Sequence, residues 1–219
     1  MVWTAPRTWT VGEIVTAALL NTHLRDNLNS LGRDVAQIVH IGTTPFERWY
    51  AASMHLWTTG DSISSLSTTL NQLYAIPFIT PRGATIDRIG FNVASGGTAG
   101  SKGRVGLYRA TSQSNMYPGS LVLDGGEKDT TTTGVKSTTV SQVLEADVLY
   151  WAVLLAGTAA FSVSTHTVGL PILGLPSSLN VAADFLTVAQ TYGALPATFP
   201  ASASISAGTK PIIAVRYSA

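Results

Sequence analysis

The chain changes its hydrophobic period once. From Thr10 to Ile41, in TVGEIVTAALLNTHLRDNLNSLGRDVAQIVHI, apolar residues recur at alternating steps of three and four, and from about Phe46 onward they alternate every second residue. The first period belongs to a helix and the second to half-buried strands. Written as heptads, the opening stretch places Ile14, Asn21, Leu28 and Val35 at a and Ala17, Leu24, Leu31 and Ile38 at d, so seven of the eight seam positions are apolar. Such a seam asks for a partner helix, and Asn21 at an a position is compatible with a register-setting polar layer. Thr10 and Glu13 have the spacing of a capping box, which predicts the helix start there. Gly32 costs about 1 kcal/mol relative to alanine inside a helix, so the helix ends either at Leu31 or near Ile41.

The two halves of this stretch differ. Up to Leu20 the off-seam positions Val15, Ala18, Leu19 and Leu20 are also apolar, whereas from Asn21 onward they are Thr22, His23, Arg25, Asp26, Asn27, Asn29 and Ser30. The first half predicts enclosure on several sides; the second predicts one partner face and water. An ordinary helix docked on its own domain is the competing reading. The arm ahead of it holds Trp3 and Trp9 but no core of its own. Trp3, Trp9, Val11, Val15, Leu19 and Leu20 are therefore expected to anchor the chain in a neighbour rather than fold back. Gly42 to Pro45 reads as a hinge between an anchoring, oligomerising segment, 1–41, and a β domain, 42–219.

In the β domain, Ile89, Phe91 and Val93 alternate with polar neighbours, as do Val105 with Leu107 and Phe161 with Val163. Leu149 to Leu155 is apolar on both parities, which predicts a central strand covered on both faces. Ile212 to Tyr217 reads as a closing strand. Turn signals stand at Pro81-Arg82-Gly83, Gly96-Gly97, Pro118-Gly119 and Gly125-Gly126. Short strands at such spacing predict a mainly β fold, a jelly-roll-like antiparallel β-sandwich behind an N-terminal α-helix. Residues 169–200 break the rhythm with Pro171, Pro176, Pro196 and Pro200, and read as a long loop with a strand or helical turn around Ala182 to Gln190.

Composition sharpens this picture. Hydrophobic residues make up 45% of the 219 and charged residues only 11%, against roughly 25% charged in an average soluble domain. So little charge leaves a surface of Ser, Thr, Gly, Asn and Ala, or one buried against other subunits. The net charge of +1 gives no electrostatic case for nucleic acid or an anionic membrane. There is no cysteine, so stability rests on packing. The opening residues lack the pattern of a signal peptide, and the longest apolar run, Val148 to Gly157, is far shorter than the roughly 20 residues of a membrane-spanning helix. Synthesis in a cytoplasm without export by the common route, and no membrane insertion, are the expectations.

The search for chemistry returns few candidates. His23, His40, His55 and His166 stand alone, without a second ligand at metal-binding spacing, and no nucleophile elbow, phosphate loop or dinucleotide fingerprint is present. No cofactor, metal site or catalytic residue is predicted. The cluster Asp124-Gly-Gly-Glu127-Lys-Asp129 reads as a solvated hairpin turn, with calcium binding as the sharper alternative. Asp87, Asp124, Glu127, Asp129, Asp147 and Asp184 are the carboxylates from which a glycosidase pair would have to come. Tyr108, Tyr117, Tyr192 and Phe199 lie next to turns, and are the candidates for stacking on a sugar ring.

Two stretches resemble a known group. Trp3 to Leu31, WTAPRTWTVGEIVTAALLNTHLRDNLNSL, resembles the N-terminal segment of tailed-bacteriophage tail and fibre proteins, and Ile86 to Gly157 is similar to a β-sandwich module of phage fibres and other virion surface proteins. The resemblance implies a virion structural protein without enzymatic activity, with itself (a homotrimer) and other virion proteins as partners, and with a host surface glycan or receptor as a possible ligand. A short tail-associated fibre or receptor-binding protein is the first expectation. The chain lacks the shaft repeats of long fibres, so a head fibre or capsid decoration protein is the alternative.

Overall fold

The computed structural model describes residues 12, 14, 16–26, 49–51, 63–80, 83–112, 115–157, 159–166, 185–206 and 208–218. The chain divides into two units, Met1–Phe46 and Glu47–Ala219.

In the first unit the helical start differs from the capping-box expectation. Gly12 has a φ of 83°, a left-handed conformation that takes the backbone out of the helical region, and Ile14 and Thr16 are not helical. The cap passes to Thr16, whose Oγ1 accepts the Leu19 N–H at 3.3 Å ahead of α1 (Ala17–Leu20). A π-helical turn, Asn21–Asp26, follows directly. Its wider turn shifts each side chain away from the 3.6-residue period. Thr10, Glu13 and the predicted helix beyond Asp26 lie outside the described residues.

In the second unit the alternation becomes two antiparallel sheets. The strands are β1 (Trp49–Ala51), β2 (Ile63–Ser67), β3 (Gln72–Ile79), β4 (Ala84–Ser95), β5 (Lys102–Ala110), β6 (Pro118–Asp129), β7 (Gly134–Leu144), β8 (Leu149–Ala156), β9 (Ser162–His166), β10 (Phe185–Ala189), β11 (Ser204–Ser206), β12 (Lys210–Pro211) and β13 (Ile213–Tyr217). One sheet runs β11-β10-β3-β8-β5-β6; the other runs β1-β13-β4-β9-β12, with β7 on β4 and β2 on β9. Inward residues of the two sheets form one core: Ile76 and Phe78 from β3, Ile89, Phe91 and Val93 from β4, Val105 and Leu107 from β5, Leu154 from β8, and Ile213 and Val215 from β13. Phe91 and Phe161 pack with ring centroids 6.1 Å apart.

The six-stranded sheet is apolar on its other face as well. β8 lies between β3 and β5, and its alternate residues Trp151, Val153 and Leu155 join Leu73, Ala75 and Tyr108 in a second buried cluster. The doubly apolar run Leu149 to Leu155 is thus the central strand its pattern predicts.

Pro118-Gly119 opens β6 directly after the turn that Thr111 N–H closes on the Tyr117 carbonyl, but the other glycine signal is corrected. Gly125-Gly126 lies inside β6, because the two glycines together oppose Val105 alone, between the Arg104–Glu127 and Gly106–Asp124 pairs. This is a bulge with Gly126 at φ 78°. A Cβ on Gly125 would stand 3.0 Å from both Ile89 Cγ2 and Val105 Cγ2, so the glycine lets the other sheet approach. Within the expected excursion at 169–200, the strand or helical turn foreseen around Ala182 to Gln190 is a strand. Phe185–Ala189 is β10, whose β-branched and apolar residues pair with β3, and residues 167–184 lie outside the described set.

Buried polar groups fasten the ends of neighbouring strands. Thr68 Oγ1 donates to the Phe161 carbonyl at 2.8 Å, and Ser101 Oγ and Thr130 Oγ1 are 2.7 Å apart. On the seven-stranded sheet Arg216 holds Asp87 through two hydrogen bonds, of 2.8 and 2.6 Å, with the guanidinium side chain only 9% exposed.

Leu154 is fully buried between the sheets. Leu154→Ala is expected to lower stability by about 2–5 kcal/mol, and Leu70→Ala, at an exposed turn position, to stay within about 0.5 kcal/mol of the parent. Urea unfolding midpoints at unchanged slope measure both.

Candidate functional site

The aromatic residues singled out from the sequence do come together, on the outer face of the six-stranded sheet, but their surfaces are used internally. Tyr108 is 0% and Phe199 4% exposed. Phe199 meets Tyr108 edge-on at 5.2 Å and Tyr117 at 5.8 Å. Tyr108 donates its hydroxyl proton to the Pro196 carbonyl at 2.7 Å; Tyr117 donates to Pro200 at 2.7 Å and accepts the Ala203 N–H at 3.0 Å. Burial, followed by the Asp124 charge, pushes the Tyr108 hydroxyl well above the ordinary phenol range. A ring needed to cover a sheet cannot also stack on a ligand. The sugar-platform expectation is therefore corrected for Tyr108 and Phe199. These groups fasten residues 191–203 over the sheet, with Leu195 and Phe199 filling its apolar face. Gly106 makes room for that cover, since a Cβ there would overlap Leu195 Cδ1.

Beside the aromatics runs a strip of charge pairs. Arg104 Nε donates to both oxygens of Asp124, at 2.8 and 3.1 Å, and Asp124 also accepts the Gly126 and Leu195 N–H groups at 2.9 and 3.2 Å. Glu127 pairs with Lys102 and accepts the Tyr192 hydroxyl at 3.2 Å. The Lys102 ammonium holds the Glu127 carboxyl below its usual range, with Tyr192 adding to the effect. Tyr192, half-buried, is pushed upward by burial and by the Glu127 charge.

The acidic cluster is accordingly not a solvated turn. Asp124 and Glu127 are strand residues neutralised by cations on β5, and Asp129 accepts from the Thr131 amide and hydroxyl, which lower its carboxyl. Among the described residues no group of three His, Cys, Asp or Glu side chains can hold a metal ion. Of the remaining carboxylates, Asp87 is held by Arg216 and Asp184 lies outside the described set. His40 and His55 also lie outside it; His166 closes β9, opposite Ile63 and Lys210.

An open concavity lies elsewhere, at the end of the same sheet where β3, β5 and β8 meet. A groove of about 330 Å³ has an apolar floor of Ile79, Val148 and Leu149 and a rim of Arg109, Thr111, Met116 and Asp147. Ile79 and Leu149 are cross-strand neighbours, and Ile79 and Met116 remain 47% and 42% exposed. Arg109 is held by both oxygens of Glu145, and that guanidinium keeps the Glu145 carboxyl below its usual range. The lining suits an amphipathic group. No aromatic ring lines it, and it holds no cysteine, serine–histidine or paired-acid arrangement. Its residues come from four separate chain segments, so no local sequence signal marks them.

The expected seam and anchor residues divide. Ile14, Leu24 and Leu20 are 82%, 58% and 46% exposed, Ala17 and Asn21 are exposed, and Leu19 is half-buried. Leu28, Leu31, Val35 and Ile38, with Trp3, Trp9, Val11 and Val15, lie outside the described residues.

No protein-family model matches the chain, and no curated protein does. Among solved structures it is similar to the cysteine protease and lectin-like domains of Cwp84, a surface layer associated protein of Clostridium difficile. That match has a TM-score of 0.44 and 12% identity, over 73% of this chain and 36% of that one. A propeptide-cleaved form of the same clostridial cysteine protease matches at 0.44 and 13%, over 73% of this chain and 40% of that one. The chain thus spans well under half the length of either. It contains no cysteine, and so no thiol nucleophile.

Replacing Tyr108 or Tyr117 by Phe is expected to cost about 1 kcal/mol each and to open 191–203 to proteolytic nicking, read by mass spectrometry of limited digests. Stability should also fall in acid. Asp87, Glu127, Asp129 and Glu145 all have folded values lowered from 3.8 or 4.5. Their contribution is therefore present above those unfolded values and is lost as pH drops through the folded ones. A melting temperature that is flat near neutrality and declines below about pH 4 is expected, with a shallower decline in Asp87→Asn.

Proposed function

We propose that this chain is a tailed-bacteriophage virion structural protein, with a jelly-roll-like sandwich displayed by an N-terminal segment that joins it to other chains. The reading rests on one observation: Ile14 and Leu24, two apolar positions of the expected seam, are 82% and 58% exposed, and no residue of α1 is buried. Apolar side chains left in water, Ile14 ahead of a capped helical turn and Leu24 in the π turn after it, are stabilised by a partner. The low charge of 11% supports a surface spent on neighbours. Self-association, as a trimer, and attachment to other virion proteins are the partnerships this implies.

The sandwich is a short tail-associated fibre or receptor-binding module in the first reading. A head fibre or capsid decoration protein is the second, favoured by the absence of shaft repeats from the sequence. Neither reading involves catalysis. The carboxylates Asp87, Asp124, Glu127 and Glu145 are each occupied by a cation, and that supports a passive module.

Sedimentation of the full chain is expected to give an oligomer that Ile14→Asp with Leu24→Asp converts to smaller species at unchanged melting temperature. A parent chain already monomeric at micromolar concentration would remove the joining role. Labelled antibody on intact particles separates tail from capsid, and release of reducing ends from host polysaccharide would overturn the non-enzymatic reading.

A further inference from the structure

The sheet edges of the sandwich are treated unequally. At the free flank of β6 the chain covers itself: Thr198 bridges Ser120, Leu121 N–H donates to Ala197 O at 2.9 Å, and Phe199 N–H donates to Gly119 O at 2.9 Å. The rest of β6 carries the glycine bulge and Glu127, Lys128 and Asp129, devices that discourage a further strand. β1, β2 and β11 are short, at 3, 5 and 3 residues. Among the described residues β7 has neither protection. It is 11 residues long, its partner among the described residues is β4, it carries the single charge Lys136, and Val135 and Val143 stand 67% and 65% exposed.

The exposed side of β7 is also a palindrome. Val135, Ser137, Thr139, Ser141 and Val143 occupy the alternate, outward positions and read V-S-T-S-V in either direction. We propose that β7 pairs with β7 of a second copy, antiparallel, about a two-fold axis through Thr139 normal to the sheet. An isologous contact needs a self-complementary surface, and this pattern supplies one. In that register Val135 faces the second copy's Val143 and Ser137 faces its Ser141. Thr139, whose Oγ1 accepts from Arg88 at 2.7 Å, faces its own equivalent, while Lys136, the charge on β7 itself, meets Gln142 and not a second lysine. Both valines leave water, and cross-strand apolar and Ser or Thr pairs are the units that stabilise sheets. The seven-stranded sheets of two copies become one. The bulge of β7 opposite Asp87, between the Arg88–Thr139 and Ile86–Gln142 pairs, adds twist to this edge but no charge. The contact is independent of the N-terminal association proposed above.

The chain has no cysteine, which allows a direct test on the full protein. Residues directly opposed in an antiparallel pair have Cα atoms about 4.5–5.5 Å apart, within the span of a disulfide. Under mild oxidation Thr139→Cys alone is expected to form a covalent dimer. Ser137→Cys and Ser141→Cys are each expected to stay monomeric in denaturing gels, and their mixture to cross-link. Val143→Lys, exposed in the single copy and facing Val135 of the second, is expected to abolish the non-covalent pairing with the melting temperature unchanged. The proposal is overturned if the three single variants cross-link alike, or if Thr139→Cys cross-links no faster than Thr98→Cys in an exposed turn. Repeating the series with Ile14→Asp and Leu24→Asp separates the two associations. Persistence of the pattern supports β7 pairing even where the N-terminal reading fails, and its loss assigns the cross-link to that segment and overturns the pairing.

Discussion

The sandwich depends on a central strand with no polar face. Every residue of β8 from Tyr150 to Ala156 is buried, so the six-stranded sheet must be covered twice. An antiparallel sheet ordinarily turns one side to water. Here the second sheet covers one side, and residues 191–203 cover the other. That explains why Tyr108, Tyr117 and Phe199 point at backbone carbonyls and at each other, and why Gly106 stands beneath Leu195.

The few charges of the chain are placed with matching economy. Arg216 with Asp87, Arg104 with Asp124 and Arg109 with Glu145 tie together residues far apart in sequence, on the outer faces or ends of the sheets. Carboxylates held this way are spoken for. What remains for recognition is neutral surface: the groove floored by Ile79 and Leu149, the flank of β7, and the exposed apolar residues of the N-terminal unit.

The N-terminal unit answers to different rules. A helical segment of ten residues, part of it π, is too short to hold its shape by propensity alone. Its exposed Ile14 and Leu24 are the reason for reading the unit as a joint, and the sandwich as what the joint carries.

The sequence by itself determined the class of the fold and its central element. Period-two alternation at Ile89 to Val93 and the doubly apolar Leu149 to Leu155 are local consequences of which faces are buried, and local patterns record them. Tertiary structure decided the rest, because it depends on partners distant in sequence. Gly125-Gly126 reads as a turn until Ile89 of the other sheet is seen to require the space. Asp124 and Glu127 read as a solvated cluster until Arg104 and Lys102 are placed opposite them. Gly12 is left-handed and the helix is capped at Thr16, backbone choices that side-chain spacing does not encode. Tyr108 and Phe199 had the chemistry of a ligand platform, and only the packing of one apolar sheet face turned them into its cover.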